Sequence, residues 1–497
     1  MAVSRFRHTH AVPARHDKHF MNVCPTGAIW DCSNMIACND RFLAVPWAQL
    51  GSTAVLRHSD YGKLADSPPI LSGQEGPIID VAFNPFDATK LFTASEDGSI
   101  MGWDIPEEGL TRSSSDHLVH LRGHAKKVGI LRFHPAARNV LASAGADMAV
   151  NVWDVESGKA GEVLRCHTDH IMSLDWNLDG SLLCSTSKDK KVNIMDPRQG
   201  NIVASGPAHQ GGKPQRCLWA KRKDLILTVG FNPVQSRQVM VWDARNMVSP
   251  VHTEDLDRVS CVMLPFFDED TNLLYVGSRG DGSIRFLELM NGRLVSCAAY
   301  DSVETHKGLC MFPKWSLDPR QCEIARFCAL TSRSVYSVHM LLPRRLAESE
   351  LQTDVYPPTF ADTPAITAAA YFSGENSEPL VTDMQAVFDG KRREAKRAAK
   401  PTPSGGTHLQ AAPARTHPLS AAPAKHADPV AMGLEPVPPK EDGKAVEERC
   451  TRLVALALEL QQQEAELKRC EEAAEAKRRE VMETVAKIHA IAMGGSP

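Results

Sequence analysis

From about residue 41 the chain alternates short apolar runs with turn residues, and the clearest unit runs from Gly123-His124 to Trp153-Asp154. Within it, runs such as Val128-Gly-Ile-Leu-Arg-Phe133 and Val140-Leu-Ala-Ser-Ala144 are bounded by Pro, Asn, Gly and Asp, which reads as short β-strands joined by tight turns. Strands of this length, opened by Gly-His and closed by Trp-Asp, predict one blade of a β-propeller. The unit recurs. Upstream, Gly73-Gln74 leads through Thr93 and Asp97 to Trp103-Asp104; downstream, His167 leads through Ser185 and Asp189 to Met195-Asp196. The three Asp residues stand 50 and 42 residues apart, near the roughly 40–45-residue period of WD repeats. Fainter copies run from His209 to Trp242-Asp243 and end at Asp281-Gly-Ser-Ile-Arg-Phe286. At roughly 45 residues per blade the span 28–345 holds seven blades, an all-β WD40 propeller. Its first strand is expected to pair into the last blade, because closing the ring removes exposed sheet edges.

The spacing also predicts a buried polar chain. The Asp147 carboxylate orients the His124 imidazole, the imidazole meets the Ser143 hydroxyl, and the Trp153 indole N–H donates to that hydroxyl. His167, Ser185 and Asp189 repeat it without the Trp, and Thr93, Asp97 and Trp103 repeat it with Gln74 where His is expected. A Ser, a His and an Asp together suggest a hydrolase, but the repetition and the Trp point to a structural tetrad. No residue is assigned a catalytic role.

Outside the propeller the pattern changes. Residues 1–27 are basic and His-rich (His8, His10, His16, His19) and read as a solvated N-terminal segment, since the spacing matches no metal-ligand set. Residues 346–390 carry Tyr356, Phe360, Tyr371, Phe372 and Phe388, aromatics that need a surface, so this stretch is expected to pack on the propeller. The basic run 391–400 opens a Pro/Ala-rich tract to 443 that reads as a linker, too poor in apolar residues to offset its ordering entropy. That run fits a second protein contact, an anionic-lipid patch, a nuclear signal or a charged spacer equally. In 444–493 Val446, Leu453, Leu460, Leu467, Ala474, Val481 and Ile488 recur every seven residues, beside a mixed seam that includes Leu456, Cys470 and Ile491. Such a tract predicts an oligomerising α-helical coiled coil, with one amphipathic helix lying on the propeller as the alternative.

Composition then excludes several classes. The 497 residues carry 23% charged side chains and a formal net charge of −4, which gives no bulk basicity for a nucleic-acid partner. No stretch is apolar for long enough to span a membrane, and the polar, basic start is not signal-like. Thirteen Cys without a Cys-x-x-Cys pair read as reduced thiols and not as a zinc site or disulfide framework, so the expectation is a soluble intracellular protein with no cofactor and no metal. Asp268-Glu-Asp-Thr-Asn272 lacks the Gly and the final acid of a calcium loop, and Arg279-Gly-Asp281 reads as a blade turn.

The sequence resembles the coronin family. The resemblance is carried by Ser4-Arg-Phe-Arg-His8, Gly123-His-Ala-Lys-Lys-Val-Gly129, Ser187-Lys-Asp-Lys-Lys-Val192, Asp196-Pro-Arg198, Leu264-Pro-Phe-Phe-Asp268, Gly280-Asp-Gly-Ser-Ile-Arg285, Cys322-Glu-Ile-Ala-Arg-Phe327 and Tyr356-Pro357, spread over residues 4–390. It implies a non-catalytic propeller that binds filamentous actin and a coiled coil that multimerises it, so that filaments are bundled or cross-linked. It also implies the actin-branching nucleator complex as a partner in some members, and residence in the cytoplasm at the actin cytoskeleton and cell cortex. Because actin's surface is acidic, the candidate contacts are Arg5, Arg7, Arg15, Lys18, Lys126, Lys127, Lys188, Lys190, Lys191 and Arg198. Two features depart from the family pattern. Cys24 stands where many members have a filament-binding Arg, six residues ahead of Trp30, and Ala457 stands where a trimer-specifying Glu is expected after Arg452. The fold alone permits another reading, a scaffold in a non-actin assembly such as trafficking or ubiquitin ligation.

Overall fold

The computed structural model describes residues 4–391 and the short strand Ala395–Lys396. The rest of the linker and the whole heptad tract, from Val446 to Ile491, lie outside the described residues.

Seven sheets form the propeller, and the first six run from an innermost strand outward in chain order. Blade 3 shows the pattern, with Val128–Phe133 innermost, then Val140–Gly145, Val150–Asp154 and Lys159–Ala160. Blades 1, 2, 4, 5 and 6 occupy 37–72, 78–122, 171–207, 216–255 and 262–301, and blade 7 begins at 308. The second strand of a blade is covered on both faces by its neighbours. Accordingly all six residues of Val140–Gly145 and all seven of Leu273–Arg279 are buried, and these are the near-continuous apolar runs of the sequence. The fourth strand faces water and reads as polar, as in the mostly exposed Asn201–Pro207. Apolar clusters sit between adjacent blades: Phe92 and Ala94 of blade 2 pack on Leu131, Leu141 and Trp153 of blade 3.

Blade 7 supplies only three strands from its own stretch of chain, Gly308–Met311, Glu323–Leu330 and Ser334–Leu341. Its outer edge is filled by the N-terminus. His10 pairs with Leu341 and Pro13 with Val338; after a bulge, Phe20 pairs with Val335 and Met21 with Ser334. Residues 10–21 are therefore the strand that closes the ring, which corrects the reading of 1–27 as a solvated segment. The physical reason is the open edge of Ser334–Leu341, whose backbone groups need a partner. Pro13 is tolerated because this strand is outermost. Upstream of it Phe6 is fully buried in the blade 6–7 core, which stabilises the closure by about 1.5–3 kcal/mol. His19 stacks on Tyr336 at 4.9 Å and its Nε2 lies 3.0 Å from the Ala14 carbonyl, so it belongs to this seam.

Strand direction puts the turns between second and third strands, and the links between blades, on one rim; we call it the upper rim. The extension after 342 crosses the other. The Tyr356 hydroxyl donates to the Glu323 carbonyl at 2.8 Å, and Arg222 in blade 5 donates to the Pro358 carbonyl at 2.7 Å. Ile366 bridges to Ala137 of blade 3. A short helix, Ala368–Phe372, is capped by the Thr367 hydroxyl and drives Tyr371, fully buried, against His134 and Trp176 of blades 3 and 4. The chain then returns, and Met384 and Phe388 pack into the blade 6–7 core. The lower rim is thus strapped from blade 3 to blade 7. Among the described residues, no helix is long and apolar enough to cross a membrane.

His134 ties this strap to pH. Its Nδ1 accepts the amide protons of Ala136 and Ala137 at 3.1 and 2.8 Å, which requires a neutral ring, and burial pushes the imidazole down to about 3. An unfolded His takes up a proton below 6.5, whereas folded His134 does not until about 3. The stability this ring contributes is therefore intact above that range and is lost as pH falls through it. Between pH 6 and 4, His134→Asn, which keeps an acceptor for both amides, is expected to show a pH slope of unfolding free energy shallower by up to about 1.4 kcal/mol per pH unit. Urea denaturation at stepped pH measures it, and an unchanged slope would contradict a buried neutral His134.

Candidate interaction face at the plugged mouth of the propeller

The upper rim is built by the polar chains within the blades. In blade 3 His124 Nε2 lies 2.8 Å from Ser143 Oγ, His124 Nδ1 lies 3.1 Å from the Asp147 carboxylate, and Trp153 Nε1 donates to Ser143 Oγ at 2.8 Å. Burial alone would raise the Asp147 carboxyl, but the His124 contact and the amides of Ala125 and Ala149 bring it down to about 2. The Ser143 hydroxyl already receives the indole proton and is sealed from solvent, so it is a joint between strands and not a nucleophile. Blade 4 has His167 Nε2 at 2.8 Å from Ser185 Oγ and Nδ1 at 2.8 Å from Asp189, with Met195 offering no N–H. In blade 2 Thr93 Oγ1 donates to Gln74 Oε1 at 2.5 Å and accepts from Trp103 Nε1 at 2.9 Å; Asp97 turns instead to the Glu75 amide at 2.7 Å. Blade 5 places Thr228, which the sequence reading did not single out, between His209 at 3.0 Å and Trp242 at 2.9 Å. Its signal was a lone hydroxyl in the apolar run Leu225–Phe231.

Each chain fixes an inter-blade link to a turn, so residues beside the tetrad are held at the surface. Lys126 and Lys127 follow His124, while Lys188, Lys190 and Lys191 flank Asp189. Lys190 sits at φ +62°, where the matching turn of blade 2 has Gly98 at +83°. Met148 takes the same left-handed conformation at φ +61° in the matching turn of blade 3, so this turn geometry is common to the blades.

The centre of this rim is closed by the chain itself. After the closing strand, residues 29–36 cross the mouth of the channel before entering blade 1. Arg216 of blade 5 donates to the carbonyls of Asp31 and Ser33 at 2.6 and 2.7 Å and to the Asn34 side chain at 2.5 Å. Arg279 of blade 6 donates to the Trp30 carbonyl at 2.9 Å and also to that of Ser33. Burial and the neighbouring Arg279 pull Arg216 down to about 9, so it remains a cation at neutral pH. Further bonds reach Gly129 of blade 3 from Cys32, and Leu309 of blade 7 through the Asn34 carbonyl. Trp30 lies on the surface of this plug, with Lys127 Nζ 3.3 Å from its ring centre and its Nε1 donating to Glu96 at 3.0 Å. Between the plug and blades 3 and 4 lies a cavity of about 190 Å³, lined by Trp30, Cys32, Lys127, His170, Met172 and Lys188. Neither Arg216 nor Arg279 was singled out as structural from sequence; the signal was a lone arginine on a strand otherwise apolar.

Of the ten candidate cations, Lys127 and Lys188 line this cavity, while Lys126, Lys190 and Lys191 stand beside the same tetrad-fixed turns of the upper rim. Arg5 lies toward the opposite rim, 3.9 Å from Glu288 and 3.7 Å from Asp354, and Arg7 donates to the Ser4 carbonyl at 3.4 Å. Arg15 and Lys18 sit in the bulge on the side of blade 7. Arg198 stands apart from the lysines: it lies on the lower rim, donates to the Tyr371 and Glu375 carbonyls at 3.3 and 3.4 Å, and stacks on Tyr371, so it anchors the extension. Cys24 is exposed on the upper rim beside the turn of blade 1, where its carbonyl accepts the Ala48 amide at 2.9 Å.

Comparison with known proteins agrees with this architecture. Residues 67–104, 115–154 and 158–196 match the family model "WD domain, G-beta repeat", 335–379 match "Type of WD40 repeat", and 1–63 match "Domain of unknown function (DUF1899)". The chain is 37% identical over 389 residues to Coronin-A of Dictyostelium discoideum, covering 78% of this chain and 86% of that protein. It is 35% identical over 393 residues to Coronin-2A of Homo sapiens, covering 77% and 74%. With the Coronin-like protein of Saccharomyces cerevisiae it shares 33% identity over 419 residues, 80% of this chain and 63% of the longer yeast protein. The crystal structure of the WD40 domain from Toxoplasma gondii coronin superposes with a TM-score of 0.71 at 30% identity, over 80% of this chain and 99% of that domain.

The plug makes its own prediction. Arg216→Met is expected to speed hydrogen exchange at Ser33 to Met35 by roughly tenfold to a hundredfold, since each charge-assisted bond contributes about 1.5–3 kcal/mol. Exchange in Val140–Gly145 should stay as slow as before. Unchanged protection of the plug would mean that the arginine does not hold it.

Proposed function

The chain belongs to the coronin family, and from that premise we propose that it is a non-catalytic actin-filament-binding protein that engages filaments through its plugged upper rim. The observation that carries this reading is the placement of five lysines beside the tetrad-fixed turns of blades 3 and 4, two of which, Lys127 and Lys188, line a cavity sized for one side chain, while the chain's own extension crosses the lower rim. Lysines at a rim steer an acidic partner and set on-rate, and a central pocket takes the apolar anchor that sets lifetime. The plug gives the pocket a rigid wall. Cys24, in place of the family's Arg, removes one charge from this same face and shifts the load to the lysines.

The second element of the proposal is multivalency. A coiled coil over 444–493 ties several propellers together, so a weak single contact becomes a strong multiple one and filaments are bundled. On this reading the protein works in the cytoplasm at the actin cortex, with the actin-branching nucleator as a further partner. The competing role, a scaffold in a non-actin assembly, draws on the same Cys24: a filament site without its arginine.

Co-sedimentation with actin filaments tests the proposal. Full-length protein should pellet at high centrifugal force in a salt-sensitive way and bundle filaments at low force. The triple variant K188E/K190E/K191E should bind roughly tenfold or more weakly, and deletion of 444–497 should keep single-site binding and lose bundling. Full-length protein left in the supernatant would replace the filament reading with the scaffold.

A further inference from the structure

Three thiols far apart in sequence meet where the ring closes. Cys38 lies on the innermost strand of blade 1, Cys310 on the innermost strand of blade 7, and Cys328 on the second strand of blade 7, directly across from Cys310. Their sulfurs all lie within 4.8 Å of one another, and among the described residues no other group of His, Cys, Asp or Glu converges in this way. We propose that Cys38, Cys310 and Cys328 form a binding site for a thiophilic d10 cation, Zn2+ or Cu+, that fastens blade 7 to blade 1.

The donor set fits that class. Three sulfurs with no carboxylate among them favour a soft cation over Mg2+ or Ca2+. With metal–sulfur bonds of about 2.3 Å the sulfurs would stand roughly 4 Å apart, a contraction of less than about 1 Å from the present spacing. Binding a cation there releases the thiol protons. Access exists from two sides: a cavity of about 590 Å³ reaches Cys328 beside His58 and Arg326, and one of about 430 Å³ reaches Cys38 and Cys310. The ordinary fate of a buried thiol is to pack as a small apolar group. Cys184 and Cys217 of blades 4 and 5, both buried in one core cluster, belong to no such group among the described residues and serve as the internal control.

The test uses the full-length chain, reduced and stripped with chelator, then given one equivalent of Zn2+, or of Cu+ without oxygen. Native mass spectrometry counts bound ions, and peptide-resolved alkylation reads each thiol. One ion per chain is expected, with alkylation of Cys38 slowed roughly tenfold or more by mass action while exposed Cys24 is unaffected. The thermal transition should rise in the same samples. Cys328→Ala should lose both the ion and the protection, and Cys184→Ala should keep them; competition with chelators of graded strength decides between Zn2+ and Cu+. Wild-type protein that holds neither ion, or protection that persists in Cys328→Ala, overturns the site. Should Cys328→Ala fail to fold, the wild-type alkylation pattern with and without metal decides alone.

Discussion

The structure depends on one constraint: a ring of sheets has no exposed edge only if its last blade borrows a strand from the other end of the chain. Here the borrowed strand is His10–Pro13 with Phe20–Met21, laid on Ser334–Leu341. Everything central follows from where that strand ends. Met21 leaves the sheet at the upper rim, and the chain must then reach the innermost strand of blade 1. Its path lies over the channel mouth. A peptide crossing there exposes carbonyls that no strand can pair, and Arg216 and Arg279 take them from the blades opposite. Closure and plugging are therefore one event, because the arginines find their partners only when the N-terminus is in place.

The two rims are then held by different means. Above, buried polar chains such as His124–Ser143–Asp147 fix short turns and leave their flanking lysines outward. Below, a run of about fifty residues lies across blades 3 to 7, anchored by Tyr356, Tyr371 and Phe388 and by cations that point at it, Arg198, Arg222 and Arg320. Buried ion pairs support that strap: Lys221 reaches Asp175 at 3.1 Å and Lys314 reaches Asp268 at 2.6 Å, each joining neighbouring blades. The extension crosses one rim and leaves the fixed turns of the other open, which is why we propose the upper rim as the filament-binding face.

Local features were legible in the sequence and distant ones were not. The blade period, the tetrad of blade 3 and the extension's aromatics each show in a window of a few tens of residues, because each rests on spacing or hydropathy. That a strand from the start of the chain closes the ring was expected, but that residues 10–21 form it does not show. His8, His10, His16 and His19 make its surroundings polar, and its partner lies more than three hundred residues away. That Arg198 lies on the lower rim against the extension was hidden for a related reason, since a lysine or arginine beside a turn looks alike on either rim. Arg216, Arg279 and the three thiols of the seam are ordinary residues in sequence and acquire meaning only when the ring shuts. A Cys-x-x-Cys search looks along the chain, whereas Cys38, Cys310 and Cys328 meet across it.

Electron cryomicroscopy of actin filaments decorated with the full-length protein tests the central claim most directly. The account predicts that the propeller docks by the upper rim of blades 3 and 4, with Lys126, Lys188 and Lys190 at the filament surface and Trp30 at the edge of the contact. Docking through the lower rim, with the extension around Tyr371 against actin, would contradict it.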